Sequence, residues 1–425
     1  MTTERQVPGA PGVFGLCVAL AGIYTVQSLV TGLATQALPA VLRNAGASLQ
    51  ITGLAFLALL PWALKGLWAP WIERWRLPTA SRQRRSRPII LGGQTVVIAI
   101  LAALALLGAK LTPTIALLGV AALATATVDI AADGFAIDQL ASGQRGWGNV
   151  AQVGGSYAGI ALGGSAFLLL HQRFGWTVAS AAMAVLTLTC TAPLWRLQEP
   201  PRPASTLNPP SHRATWRDAW QRPAMCYGLL LVVGMGLGVR LSLGMLGPWL
   251  IDQGVHMPQL ATLWGVGGLC AGLVGTLAGG LLVQRLGAWR ALHAALTLEA
   301  VALSSLAACA LLQPALPLLI TASAALLVAM ACGFVTRYAW LMGLTSPRQP
   351  GLDFTLLQCT EAAVAMAAGV AGGWLAGHAG YGICFGLAMS CGVLALTLPR
   401  ALRRRGQWGN NMLQPPASSP RTAFP

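Results

Sequence analysis

The stretch Thr127-Val-Asp129-Ile-Ala-Ala-Asp133-Gly-Phe-Ala-Ile-Asp138 places three carboxylates among apolar residues. The whole chain of 425 residues has only eleven acidic side chains. On a soluble helix these acids would form an ordinary polar face. Inside an apolar membrane span, a carboxylate is costly and usually has a function or a dedicated partner. The use of these acids therefore depends on whether the surrounding chain spans a membrane.

Composition indicates a protein with many membrane-spanning helices. Hydrophobic residues make up 55% and charged residues only 9% of the chain, and the mean hydropathy is +0.64. A soluble domain is about 25% charged. The net charge of +16 could suggest a nucleic-acid partner, but the arginines lie mainly in short connections between apolar runs, as topology-setting charges do. We therefore expect no nucleic-acid partner.

The nine cysteines lie in or beside apolar runs, without a CxxC pair or a histidine cluster. Such cysteines usually act as small buried hydrophobic residues. We expect no metal site and no bound cofactor.

The apolar runs predict twelve membrane spans. A helix needs about 20 residues to cross a hydrocarbon core of roughly 30 Å. The predicted spans cover residues 13–38, 49–71, 88–109, 113–139, 147–170, 176–195, 224–250, 259–283, 289–312, 315–344, 353–377 and 380–398.

The positive charges predict the orientation of these spans. Twelve spans place both termini on one side, and we expect the first span to remain as an anchor. If that side is the cytoplasm, the outside loops hold only Arg43, Lys110 and Arg173, and most other arginines lie inside. Because cytoplasmic loops carry the excess of Lys and Arg, we expect both termini in the cytoplasm.

The chain also predicts two halves of six spans each. Three short patterns recur in the same order and at a nearly constant offset, such as His171-Gln-Arg-Phe-Gly-Trp176 and Gly377-His-Ala-Gly-Tyr381. Duplicated halves with a central substrate site are typical of major facilitator transporters. The predicted divisions are a six-helix bundle at 1–195, a Pro- and Arg-rich cytoplasmic linker at 196–223, a second bundle at 224–400, and a disordered tail at 401–425.

Several motifs resemble the AmpG-like branch of the major facilitator superfamily. The most specific is Pro61-Trp-Ala-Leu-Lys-Gly-Leu-Trp-Ala-Pro70, followed by the loop Arg82-Gln-Arg-Arg-Ser-Arg87. The 127–138 stretch resembles the fourth helix of this branch. Gln152-Val-Gly-Gly-Ser-Tyr157 and Asp353-Phe-Thr-Leu-Leu-Gln358 resemble the starts of its fifth and eleventh helices.

The resemblance implies a transporter in the bacterial inner membrane. Within the branch, the chain is most similar to the siderophore permeases. This implies proton-driven import of an intact, iron-loaded, anionic siderophore of the pyochelin kind. A muropeptide or amphiphilic drug permease of the same superfamily is the alternative. We expect a monomer whose partners are this small molecule, protons and the lipid bilayer.

Asp129 and Asp133 are four residues apart and share one face of the fourth predicted helix. Two carboxylates on one face repel each other, so a shared or exchangeable proton would be favoured. The hypothesis is a proton-coupling pair. In the alternative, one acid binds Lys65 and the other a backbone amide. Asp138 lies further round the helix, and we expect it to tether the helix end to Arg145 or to the second-helix loop arginines.

Lys65 and Glu361 are charged residues on the second and eleventh predicted spans, which face each other across the two halves in this fold. A Lys65–Glu361 pair would hold the cytoplasmic side shut. Lys65 paired with Asp129 or Asp133 inside the first half is the competing arrangement, and the sequence leaves both open.

Arg240 and Arg337 lie within the seventh and tenth predicted spans. A guanidinium offers a planar fork of donors that suits a carboxylate or phenolate, so we expect both arginines to bind an anionic substrate. The alternative is that each pairs with Glu299 or another buried acid. The other candidate substrate contacts are Tyr338, Tyr24 and Gln27.

The sequence indicates a secondary transporter rather than an enzyme. An intramembrane aspartyl protease has its acid in a Gly-x-Gly-Asp context, whereas Asp133 precedes Gly134. The chain has no HExxH motif and no Ser/His constellation, so we predict no catalytic residue. A sensor is disfavoured because no soluble signalling domain is evident.

Overall fold

The protein is described by a computed structural model. The structure describes residues 12–38, 41, 60–78, 81–108, 111–202, 214–255 and 263–400. The predicted tail, Arg43, Lys110, and parts of the predicted second span and of the linker lie outside these residues.

The described chain is helical, and eight of its helical stretches are long and apolar enough to cross a membrane. Three of them run for 48, 51 and 55 residues, which is far more than one crossing requires. Each of the three turns back at a glycine with positive φ: Gly175 (φ 81°), Gly287 (φ 75°) and Gly380 (φ 82°). Glycine adopts this backbone conformation without steric cost, so each long stretch forms two antiparallel helices.

These turns and the described part of the second span give helices at all twelve predicted positions. The helices are α1 (Val13–Gly32), α2 (Leu60–Leu64, Lys65–Leu67 and Ala69–Arg76), α3 (Ser86–Leu107), α4 (Leu111–Gln139), α5 (Arg145–Ala161, continuing to 174), α6 (176–196), α7 (Pro223–Asp252), α8 (263–286), α9 (288–312), α10 (Leu316–Leu341), α11 (350–379) and α12 (381–400).

The second helix is interrupted, and a short helix precedes the seventh. Residues Lys65–Leu67 of α2 form a 3-10 turn between two α-helical pieces. A linker helix, Trp216–Trp220, lies just before α7 and is capped by the Thr215 hydroxyl, which accepts the Asp218 N–H at 3.2 Å. Pro223 and Pro350 stand in the first turns of α7 and α11, where a missing N–H costs no helical hydrogen bond.

The helices pack in two sets. In the first set α1 lies against α4, α5 and α6, and α3 lies against α4 and α6. In the second set α7 packs on the α11–α12 stretch, and α10 packs on the α8–α9 stretch. The sets meet where α5 contacts α8 and α10, and where α4 contacts α11.

The buried cores show which end of the molecule is closed. One core draws residues from both sets, including Phe135 of α4, Met225 of α7 and Phe354 of α11. This core lies at the end that carries the 76–87 loop and the linker helix, which we call the arginine-rich end. Toward the opposite end, separate cores form around Phe167 in the first set and Trp249 in the second. The sets are therefore joined at the arginine-rich end.

Candidate functional site

A cavity of about 560 Å³ lies between the two sets of helices. Its wall combines aromatic rings and aliphatic side chains with amides, hydroxyls and one ion pair. The lining residues are Tyr24, Gln27, Ser28, Thr31, Trp62, Ala63, Lys65, Asp129, Gln152, Val153, Ser156, Tyr157, Ile160, Phe334, Tyr338, Gln358, Ala362 and Met366. Three predicted substrate contacts, Tyr24, Gln27 and Tyr338, are among them.

Lys65 connects the two sets of helices at the floor of this cavity. Its ammonium group donates to Asp129 of α4 and to the Gln358 carbonyl oxygen of α11. Both charged side chains are only 4% exposed. The structure therefore has the Lys65–Asp129 arrangement, not the Lys65–Glu361 pair, because Asp129 lies beside Lys65 and Glu361 is engaged elsewhere. The link to the second set is made by a neutral amide.

Asp133 is fully buried behind the cavity wall. Its Oδ1 accepts the Tyr24 hydroxyl at 2.5 Å and the Gln152 Nε2 at 3.3 Å. Its Oδ2 has no hydrogen-bond partner among the described residues, and no Lys or Arg of that part of the chain forms a salt bridge with it. Asp129 and Asp133 thus share a face as predicted, but only Asp129 has a counter-ion. Their role in proton coupling stays a prediction.

Glu361 organises the opposite wall of the cavity. It accepts from Arg240 Nη2 at 3.2 Å and from the Tyr338 hydroxyl at 3.0 Å. The Arg240 guanidinium also lies 5.0 Å from the centre of the Phe334 ring, a cation–π distance. Arg240 is 24% exposed; it is not among the residues that line the cavity, but it contacts the lining residue Phe334 and shares Glu361 with the lining residue Tyr338.

Arg337 does not line the cavity, contrary to its expected role. It is buried and its Nη1 lies 2.9 Å from both oxygens of Glu299 on α9. A guanidinium in an apolar interior requires an opposite charge, and Glu299 supplies it. Of the two possibilities for Arg337, the structure therefore shows the ion pair with Glu299.

Asp138 anchors α4 to the loop that follows α2. Its Oδ2 lies 2.6 Å from Arg76 Nη1 and 3.3 Å from Arg84 Nε. These are second-helix loop arginines, so the alternative partner, Arg145, is not used. Arg145 begins α5 and lies against Gly343 of the second set.

A buried carboxylate closes the arginine-rich end between α2 and α11. Glu73 is held by Arg76 through two contacts of 2.8 Å. Its Oε1 also accepts the backbone N–H of Gly351 at 3.1 Å, at the beginning of α11. A carboxylate near a helix N-terminus is stabilised by the unpaired N–H groups there. Glu73 therefore joins the two sets of helices.

The linker segment also connects the two sets of helices at the same end. The Trp216 indole N–H donates to the Gly66 carbonyl of α2 at 2.9 Å, and Arg74 donates to the Ala214 carbonyl at 2.9 Å. Arg222 Nη2 lies 2.5 Å from Asp353 of α11. The linker is thus bonded to α2 on one side and to α11 on the other.

Sequence reasoning did not assign a role to several residues of the cavity. Gln152 and Gln358 carry the family resemblance, and the polar spacing of Gln152 and Ser156, four residues apart on α5, could have indicated a cavity face. Trp62 lines the cavity, whereas a tryptophan near the end of a span more often lies at the membrane interface. Phe334 carries no signal that separates it from an ordinary apolar residue.

The family model described as Major Facilitator Superfamily matches residues 20–307. The chain therefore belongs to the major facilitator superfamily, a family of multi-pass membrane transporters and not of enzymes. The all-helical fold predicted from the sequence is confirmed.

Two curated relatives support the AmpG-like branch. The anhydromuropeptide permease of Escherichia coli K12 is 29% identical over 256 residues, which are 58% of this chain and 51% of that protein. The putative transporter AmpG 4 of Rickettsia felis is 23% identical over 267 residues, 59% of this chain and 63% of that protein. This chain spans about half the length of the E. coli permease. Neither relative is named as a siderophore transporter, so these relatives do not support the predicted siderophore substrate.

Solved structures share the fold across nearly the whole chain. The human organic anion transporter TETRAN has a TM-score of 0.67 and 16% identity, covering 91% of this chain and 99% of that one. A bacterial homologue of the iron transporter ferroportin, in its outward-facing state with soaked iron, has a TM-score of 0.62 and 15% identity with the same coverage. At these identities the likeness concerns the fold alone.

Proposed function

We propose, starting from membership of the major facilitator superfamily, that this chain is a proton symporter that imports an amphiphilic sugar–peptide of the anhydromuropeptide kind. The two bundles, at 1–195 and 224–400, rock about the cavity, and the 196–223 linker joins them. The arginine-rich end faces the cytoplasm of a bacterial inner membrane, in keeping with the distribution of positive charge. The likeness to the anhydromuropeptide permease of E. coli supports this substrate class.

The state of Asp133 is the observation that carries the proposal. Asp129, Glu299 and Glu361 each have a cation partner. Asp133 is fully buried, yet among the described residues it forms no salt bridge and its hydrogen-bond partners are the uncharged Tyr24 and Gln152. A charged carboxylate without a counter-ion has a high free energy inside a membrane. Protonation makes the group neutral and removes this cost. Asp133 is therefore the group suited to carry a proton across.

Proton transfer at Asp133 can be coupled to opening through Lys65. With Asp133 neutral, Lys65 stays with Asp129 and with Gln358 of the other bundle. When Asp133 loses its proton it becomes a second anion one helical turn from Asp129. It then attracts Lys65 and weakens the Gln358 contact that joins the bundles. Release of the proton toward the cytoplasm would in this way favour opening of the arginine-rich end.

The cavity suits a molecule with apolar faces and many polar groups. Its volume of about 560 Å³ lies in the range of roughly 300–1,000 Å³ that is usual for small-molecule sites. Aromatic rings such as Trp62 and Tyr157 offer flat contacts for sugar rings, and the hydroxyls of Ser28 and Ser156 offer hydrogen bonds. An amphiphilic sugar–peptide presents both kinds of surface.

A pyochelin-like ferric siderophore is the second candidate substrate. The aromatic rings of Trp62, Tyr157, Phe334 and Tyr338 favour it, because flat phenolate rings stack well on such side chains. Its negative charge would face Arg240, the half-buried guanidinium beside Phe334.

Uptake into proteoliposomes separates these candidates. The purified protein is reconstituted, an inward proton gradient is imposed, and the uptake of a labelled anhydromuropeptide is compared with that of a labelled ferric pyochelin. We expect gradient-dependent accumulation of the anhydromuropeptide alone. Accumulation of the siderophore alone would identify the siderophore as the substrate. Uptake that does not depend on the gradient would contradict proton coupling.

Replacement of the proposed proton carrier gives a direct test of coupling. Asp133→Asn should reduce gradient-driven uptake at least tenfold, because an amide cannot release a proton. It should also slow substrate exchange across the membrane, because a permanently neutral side chain keeps Lys65 on Gln358 of the other bundle and so keeps the arginine-rich end closed. Asp252→Asn is the control: this acid lies at the opposite end and bonds Tyr381. Normal gradient-driven uptake by Asp133→Asn would exclude Asp133 as the carrier.

A further inference from the structure

Tryptophan side chains form an exposed surface where α2 meets the linker helix. Trp71 and Trp75 of α2 and Trp216 and Trp220 of the linker helix are each between 39% and 58% exposed. The Trp71 and Trp216 rings meet edge to face, with their centres 6.1 Å apart. We call these four residues the tryptophan patch. A contiguous exposed apolar surface is typical of a contact with a partner or with lipid.

The position of Trp216 in this patch is fixed by a hydrogen bond. Pro70 has no N–H, so the Gly66 carbonyl has no helical partner one turn further along α2. The Trp216 indole N–H donates to this carbonyl at 2.9 Å instead. The patch is therefore an ordered part of the fold, although its rings are exposed.

Arg217 adds a positive charge beside the patch. It is exposed, and its guanidinium has no hydrogen-bond or ion-pair partner among the described residues. With 3.6 residues per turn, Trp216, Trp220 and Arg217 lie within an arc of about 100° around the linker helix. Ala219 lies outside this arc and is buried. The outer face of the linker helix therefore combines two aromatic rings with one cation.

Arg74 supplies a second cation from α2. Its Nε donates to the Ala214 carbonyl at 2.9 Å, and this bond orients the guanidinium. Its two Nη groups make no hydrogen bond to the described residues. Guanidinium N–H groups bind phosphate oxygens in pairs. Arg74 and Arg217 thus offer donors to an anion at the edge of the patch.

The side of α2 that leads to the patch is apolar and exposed. Leu64 and Leu67 precede Trp71 and Trp75 at steps of three or four residues, so all four lie on one side of the helix, and all four are exposed. From Leu64 to Trp75 this side is roughly 16 Å long. It passes from aliphatic side chains to tryptophans, which favour the level of lipid head groups, and then to arginines. A phospholipid has its acyl chain, glycerol and phosphate in the same order.

The charge at the edge of the patch selects among lipid head groups. A zwitterionic head group brings an ammonium group toward Arg74 and Arg217, which repel it. An anionic head group brings a phosphate without that ammonium. A basic side chain near the membrane surface favours anionic lipid about fivefold. The surface therefore suits an anionic phospholipid.

We propose that the tryptophan patch, together with Arg74 and Arg217, is a binding site for one anionic phospholipid such as phosphatidylglycerol. An acyl chain lies along Leu64 and Leu67, the glycerol region contacts the tryptophan rings, and the two guanidinium groups bind the phosphate. The lipid contacts both α2 and the linker helix at the arginine-rich end. None of these residues lines the central cavity, so the site does not depend on which molecule is transported.

Native mass spectrometry of the purified full chain tests the site. The protein is incubated in detergent with equal amounts of dioleoylphosphatidylglycerol and dioleoylphosphatidylcholine, which have the same acyl chains and different head groups. We expect the wild-type protein to retain one phosphatidylglycerol in at least tenfold excess over phosphatidylcholine, because two cations favour the anionic lipid. The measured mass also shows whether a second copy of the chain covers the patch.

Two single substitutions locate the lipid. Arg217→Gln removes one cation of the site, and it should lower the excess of phosphatidylglycerol about fivefold. Arg290→Gln is the matched control, because Arg290 is an exposed arginine in the first turn of α9, beside the shared core of the same end. It removes the same charge from the protein and should keep the wild-type excess. Equal thermal midpoints confirm that both variants are folded.

Several outcomes would overturn the lipid site. They are equal retention of the two lipids by the wild-type protein, retention of neither lipid, and an excess that Arg217→Gln leaves unchanged or that both variants lower equally. A dimer that retains no lipid would show that a second copy of the chain covers the patch. Loss of the excess in Arg217→Gln alone supports the site whether or not the protein accumulates the anhydromuropeptide, so the test is separate from that of the proposed function.

Discussion

Arg337 is a buried cation whose burial depends on one carboxylate, Glu299 on α9. The side chains are 6% and 3% exposed. Arg337→Ala should lower the free energy of unfolding by about 3–5 kcal/mol, because it leaves the buried Glu299 carboxyl without its cation partner. The double variant Arg337→Met with Glu299→Leu should recover most of this loss, since an apolar pair of similar volume needs no charge compensation. Thermal midpoints in detergent measure both effects.

The transport kinetics of the same double variant test the structural role of this pair. We expect an unchanged KM for substrate, because neither residue lines the cavity. A KM raised tenfold or more in a protein of normal thermal stability would contradict this and show that Arg337 contributes to substrate binding.

The sequence could identify the membrane-embedded charges but not their partners. Lys65, Asp129 and Glu361 stand out because a charge inside an apolar span is rare, and they all lie at the cavity or beside it. The choice of Asp129 over Glu361 depends on the 3-10 turn at Lys65–Leu67, which turns Lys65 toward α4. Pro70 has no N–H to donate to the Gly66 carbonyl, so the sequence indicates an interruption of α2 at this point, but it does not indicate the direction in which Lys65 then points.

The linker helix is an element whose contacts hold the arginine-rich end closed. Trp216 donates to the Gly66 carbonyl, and Gly66 lies against Cys359 of α11. Trp216→Phe removes the donor but keeps an aromatic ring against Trp71. We expect the closed end to open more often, so that maleimide labels Cys359 severalfold faster in a protein whose other cysteines are replaced.

Trp220→Phe is the control for that labelling experiment. Trp220 lies on the same linker helix but is 57% exposed, and its substitution should leave the labelling rate unchanged. Equal rates of Cys359 labelling in the two variants would show that the Trp216 hydrogen bond does not hold this end closed.

At the level of elements, the positions of the spans were predictable from the sequence, and the burial of individual side chains within them was not. The predicted gaps at 170–176, 283–289 and 377–380 contain or adjoin the turns at Gly175, Gly287 and Gly380, because long apolar runs must be interrupted at the membrane surface. Trp249 lies near the end of the seventh span, where tryptophans usually face the membrane interface, but it is buried against Phe385. Its burial follows from tertiary packing that a hydropathy pattern does not contain.

The whole molecule has a shared core at one end and separate cores toward the other. This asymmetry is the structural basis of the proposed alternating access, since import requires the shared core to part. Two contacts would have to break. The Asn149 amide nitrogen donates to the Met342 sulphur at 3.4 Å, and the backbone N–H of Gly351 donates to the Glu73 carboxylate. Each of them connects a helix of the first set to the second set.

A cross-link at the closed end tests whether that end must open during transport. Asn149→Cys with Met342→Cys, in an otherwise cysteine-free protein, places two thiols where the side chains now touch. Treatment with a short bifunctional thiol reagent that can be cleaved by reduction should abolish uptake, and reduction should restore it, because a bridge between the sets prevents rocking. Asp252→Cys with Tyr381→Cys is the matched control, since these contacting residues both belong to the second set and move together. Full uptake by the cross-linked Asn149–Met342 variant would mean that the arginine-rich end stays closed throughout the cycle, and substrate would then need another route to the cytoplasm.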